Sequence, residues 1–183
     1  MNIVYKIVAA ALFALMNPSG SGDPAKMKPV GMMQGGKTLI SFPMVRMIRN
    51  SDQWKELWVL HKGIAGVPGA AGAIVNADAQ AAPTVDFDKN QVLIVFGGQL
   101  SNVQAYDYVK TVVKDKDAVI QIAPNYLDKS TVQVLMTPYI MLVLPNEKVA
   151  VDVELDSIND DGSHFWRQIG RFPAPVDKSR QGN

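Results

Sequence analysis

The sequence predicts an α+β domain: a mainly antiparallel β-sheet or small barrel with one N-terminal amphipathic helix packed on it. Three observations carry that prediction. Only "NSDQWKELWVLHKG" (Asn50 to Gly63) shows a helical spacing of apolar residues. From Gln91 onward, short runs rich in Val, Ile and Tyr alternate with turn residues. No repeat appears, and the helix precedes most of the strands rather than alternating with them.

Before the domain, "MNIVYK" with one Lys, the apolar run "IVAAALFALM" and the small residues "NPSGSGDP" follow in the order of a secretory signal. Residues 1–21 are therefore expected to be a signal peptide, too short in its apolar part to span a bilayer. "DPAKMKPVGMMQGG", within residues 22–37, lacks periodicity and is expected to be a flexible linker. The single domain is placed at 38–172, with a frayed tail at 173–183.

"TLISFPMVRMI" (Thr38 to Ile48) reads as the first strand, and Pro43, lacking an amide donor, favours a sheet edge or a bulge. In the helix, Asn50 caps the first turn and Gln53 can reach back. Trp54, Leu57, Trp58 and His61 make one apolar stripe, which directs both indoles onto the sheet. The Gly/Ala-rich stretch Gly63 to Pro83 is a long connection, either a mobile appendage or a functional flap. "QVLIVF" (Gln91 to Phe96) is apolar throughout and fits a central strand buried on both faces. "AYDYVKTVV" and "AVIQIA" flank the hairpin turn "KDKD", and "TPYIMLVLP" supplies another strand. In "VAVDVELD", Val149, Val151, Val153 and Leu155 alternate with Asp152, Glu154 and Asp156, the pattern of a half-buried antiparallel strand.

Composition narrows the function classes. The chain has no Cys, which excludes disulfides, thiolate metal sites, a Cys nucleophile and a lipoprotein anchor. Removing Lys6 with the signal leaves 17 basic against 17 acidic residues, so no broad field for nucleic acid or anionic membrane results. Asp86, Asp88 and Asn90 match the first positions of a calcium loop, but Gln91 stands where a Gly is needed and Gly97 where a Glu is needed. That stretch is expected to be the polar lip of a buried strand. "NDDGS" fails the same test and reads as a turn. Hydrolase motifs are absent, and His61 and His164 sit in no recognisable arrangement. The nine Met residues form no thioether repeat with a nearby His. The expectation is therefore no enzyme, no cofactor and no metal.

Interaction features remain. Tyr106 and Tyr108 alternate on one strand face with Lys110, and "HFWRQIGRF" carries Trp166, Arg167 and Arg171. Aromatics and arginines are frequent binding anchors, so these five residues are the candidate binding set. The competing assignment for "HFWRQIGRF" is a closing strand whose aromatics finish the core.

Through "IRNSDQWKELWVLHKG", "PTVDFDKNQVLIVFGG" and "TPYIMLVLPNEKVAVDVE", in that order, the chain resembles the PrcB C-terminal-like family of small exported bacterial domains. The likeness runs from about Arg46 to Glu154. It departs at "GQLSNVQAYDY", where members carry a Gly-rich turn of the GGY type. The resemblance implies a periplasmic or extracellular accessory domain with a protein partner, such as a protease whose complex it stabilises. The alternative reading of the residues is a small-ligand or glycan-binding domain that displays Tyr106 and Tyr108 on an open face.

Overall fold

The computed structural model describes residues 22–62, 81–127 and 133–175. The expected signal peptide, the Gly/Ala-rich stretch up to residue 80 and the last eight residues lie outside them. Ten strands and one α-helix are present among the described residues: β1 (Gly31–Gly35), β2 (Pro43–Ile48), α1 (Ser51–Lys62), β3 (Asn90–Gly97), β4 (Leu100–Ser101), β5 (Val103–Lys114), β6 (Asp117–Tyr126), β7 (Leu135–Met136), β8 (Tyr139–Pro145), β9 (Val151–Ile158) and β10 (His164–Phe172). The class is α+β and mainly β.

The strands build two four-stranded sheets and one small ribbon. The first sheet runs β1-β8-β3-β2, the second β10-β9-β6-β5, and β4 pairs with β7. Pairing in the first sheet is antiparallel throughout. The second contains one parallel pair, β6 with β9. That pair corrects the expectation of a purely antiparallel β9. Between β6 and β9 the chain crosses into the first sheet to form β8, so it re-enters the second sheet running the same way as β6.

Period-two alternation explains how one strand serves two cores. On β3, Leu93 and Val95 face the second sheet, packing with Ile140, Leu142, Ile120, Ile122, Val151 and Val153. Val92, Ile94 and Phe96 face the other way, under Trp54 and Leu57 of α1. The result is three layers, with the helix on the first sheet and the first sheet on the second. Each fully buried aliphatic side chain contributes about 1.5–3 kcal/mol, and this apolar burial is what holds a cysteine-free chain together.

The helix start is set by side chains. The Asn50 carboxamide oxygen accepts the Gln53 amide at 2.9 Å, while the Gln53 side chain accepts from Arg49, one residue earlier than a capping box requires. Trp54, Leu57 and His61 are the buried residues of the helix. It follows β1 and β2 in the chain, so it does not open the domain as the expected N-terminal helix would.

The segment expected to be a linker is part of the fold. Asp23 caps a 3-10 turn at Pro24–Lys26, Met27 is fully buried in the core between the sheets, and Gly31–Gly35 pairs with β8. Weak periodicity hid it, because an edge strand rich in Gly and Met carries little sequence signal. At the other end, Pro173 is anchored by Arg49, which donates to its carbonyl at 2.9 Å.

The lip at Asp86 is a turn. The Asp86 carbonyl accepts the amides of Lys89 and Asn90, while its carboxylate accepts the Asp88 amide and pairs with Lys89 at 3.1 Å. Val85 and Phe87 pack toward the helix core. Asn159 and Ser163 close the β9–β10 turn in the same self-contained way.

Candidate binding cleft

Both sheets end on one side of the molecule with an edge strand, β2 in the first and β10 in the second. β10 is irregular. Its register against β9 shifts between Gln168 and Gly170, so one extra residue, Ile169, is fitted in. At Gly170 the two edges approach closely, since a Cβ there would lie 3.1 Å from Val45 Cγ1. Beyond that contact the edges part, and a cleft of ≈ 550 Å³ opens between them. Pro43, Met44 and Val45 form one wall and Arg167, Gln168 and Ile169 the other, with Val95, Leu100 and Leu155 among the apolar residues between.

Tyr106 reaches the same cleft from β5. Its ring belongs to the core and the residue is only 3% exposed. Its hydroxyl lies against Gly97, where any side chain would collide with it. Glycine at 97 is thus what admits the phenol to the cleft. Burial raises the Tyr106 pKa, as does nearby Tyr126, and the positive charge of Arg167 opposes both. The hydroxyl therefore stays protonated at neutral pH, and the guanidinium is close enough to be felt.

Arg167 is the one charged residue that lines the cleft. It pairs with Leu155 in register and so lies on the inward side of the sheet. Among the described residues its guanidinium makes no hydrogen bond and no ion pair. Gln168 is already engaged on the opposite face, donating to Asp152 at 3.0 Å.

The five candidate residues are thus divided. Tyr106 and Arg167 meet at the cleft. Tyr108 is half-buried, its hydroxyl bonded to Thr111 at 3.0 Å, and Thr111 in turn donates to the Met27 carbonyl. The expected shared face of Tyr106, Tyr108 and Lys110 is broken because β5 shifts register between Tyr108 and Lys110. Both tyrosines turn inward, while Lys110 is exposed. Trp166 lies on the outer face of the second sheet, opposite Asp156 in register and 40% exposed. Arg171 also lies outside, forked onto both Asp152 oxygens at 3.0 and 2.7 Å and onto Asp117 at 2.7 Å. Burial raises the Asp152 pKa even against the pull of Arg171.

The two imidazoles sit elsewhere. His61 is 1% exposed beneath the helix, with Nδ1 2.8 Å from the Thr38 hydroxyl and Nε2 buried without a partner. The rings of Trp58, Phe96 and Tyr139 surround it. Burial, with Lys62 beside it, lowers its pKa to about 4, so it is neutral at physiological pH. His164 is exposed and bonded to Asp156 at 2.9 Å.

Of the cleft residues, Tyr106 and Arg167 stand out in the sequence by residue type, whereas Leu100, Gly97 and Pro43–Val45 carry no mark there of being walls. The only trace of the cleft was the paired glycine closing "VLIVFGG". Compared with protein-family models, with curated proteins and with solved structures, the chain finds no match.

Proposed function

We propose that this protein is a non-enzymatic binding module whose working site is the cleft between β2 and β10. The observation that carries this reading is Arg167, its guanidinium without a protein partner among the described residues, at the rim of a hollow lined by polar and apolar groups in similar measure. Its size falls within the roughly 300–1,000 Å³ typical of small-molecule sites. The walls offer apolar contact, while Arg167 and Tyr106 offer orientation. The lining includes no carboxylate and no imidazole to move a proton. Small-ligand binding fits this shape better than glycan binding, because Tyr106 and Tyr108 are not stacked in the open.

Export and service to a protein complex, a protease complex among them, belong to the same proposal through the sequence resemblance. Exposed Phe42 beside Pro43, and exposed Phe165 two residues before Arg167, would give such a partner apolar contacts at the same edge.

Thermal-shift screening of the full chain against small apolar acids, alcohols and sugars tests the reading. Gly97→Ala, which presses a methyl group onto the Tyr106 hydroxyl and narrows the hollow, should abolish the stabilisation. Hits that survive Gly97→Ala undiminished, or a panel with no hit, would refute it.

A further inference from the structure

We propose that the cleft takes a small monocarboxylate with an apolar body, its carboxylate received by Arg167 and the Tyr106 hydroxyl and its body lying among Val45, Val95, Leu100 and Leu155. This rests on the cleft being the working site and names the ligand class.

Charge sets the first constraint. Arg167 is an exposed residue whose guanidinium has no protein carboxylate to answer it, so water solvates it until an anion arrives. Its planar fork of N–H donors matches the two oxygens of a carboxylate. Tyr106, which lines the same cleft and feels the charge of Arg167, adds one O–H donor with no protein acceptor among the described residues. Two donor groups and one positive charge answer one carboxylate. A phosphate monoester brings a charge of about −1.5 to −2 and three strong acceptors, which this lining does not meet. A sugar needs several polar partners, and the amide nitrogen of Gln168, the remaining polar side chain, already donates to Asp152 on the outer face.

The walls set the second constraint. The side chains of Val45, Val95, Leu100 and Leu155 give no hydrogen bonds, so the part of the ligand that lies against them is apolar. Burying it strengthens the ion pair, because displaced water no longer screens the guanidinium.

Octanoate and 1-octanol are probes that differ at the head group. Calorimetric titration into the full chain, with amide chemical-shift mapping to locate the site, should give octanoate about tenfold or more the affinity of 1-octanol. Perturbations should centre on Val45, Leu100 and Gln168. Arg167→Gln should bring octanoate down to the alcohol, with an unchanged melting temperature because the native side chain has no protein partner. Tyr106→Phe should weaken octanoate several-fold and leave 1-octanol alone. If both probes bind native protein equally at these residues, the carboxylate assignment is wrong while the cleft stands. If neither binds, or both map to the exposed Val59 and Leu60 of α1, the two fall together. The comparison of head groups on native protein decides the matter even if a variant does not fold.

Discussion

Arg167 and Arg171 lie four residues apart on one strand and meet opposite circumstances. In a regular strand that spacing would put both on the same face. The extra residue at Ile169 turns Arg171 outward, onto two acids, and leaves Arg167 inward with none. Arg171 joins β10 to β9 and β6, and its charge is spent on the fold. Arg167 holds nothing in the protein together, and its charge is left for something that comes from outside. A bulge, and not the residue type, separates a structural arginine from a recognising one.

Deleting Ile169 tests the bulge and has the largest expected effect. It leaves Arg167 and Arg171 three residues apart, so a regular strand keeps them on opposite faces, with Arg171 still opposite Asp152. What is lost is the packing of Ile169 against the core between the sheets, about 2–5 kcal/mol in urea unfolding. If Arg171→Met costs nothing further in the deletion variant, its ion pairs have gone and the bulge itself is what holds Arg171 outward.

Acid gives the second test, separating the ionic cluster from the buried imidazole. The folded-state pKa of His61 lies below its ordinary value near 6.5, so the unfolded chain binds a proton that the folded one refuses. Its stability contribution is complete above pH 6.5 and declines down to about pH 4, on the order of 3 kcal/mol in all. Asp152 has the opposite sign. Its pKa is raised on folding, so protonating it does not cost the folded state stability. Urea midpoints across this range should fall in native protein and in Arg171→Met alike, and His61→Phe should flatten them. If Arg171→Met flattens them and His61→Phe does not, the assignment is reversed.

The smallest effect sharpens the comparison directly. Arg171→Met should cost about 1–2 kcal/mol, kept modest because its side chain is 44% exposed and water screens the pair. Arg167→Met should stay within about 0.5 kcal/mol. Equal losses in chemical unfolding would mean that Arg167 is not free.

Much of the architecture was legible. The apolar run from Val92 to Phe96 announced a strand covered on both faces, and the alternation from Val151 to Leu155 announced one with a wet side. The spacing of Trp54, Leu57 and His61 named the helix face that is buried. The edge strand Gly31–Gly35 was missed because its burial is half-hearted and its residues are poor β-formers. The candidate site was legible only by residue type. Tyr106 and Arg167 were named, but in the company of Tyr108, Trp166 and Arg171, which the fold sends elsewhere.

The sequence alone determined the class, the central strand, the capped helix and the dependence on apolar burial, because these follow from local periodicity and composition. Tertiary structure decided which polar groups converge. The register shifts of β10 and β5 and the close passage of Tyr106 over Gly97 are set by how the sheets pack, and packing between distant strands leaves no periodic mark in the chain.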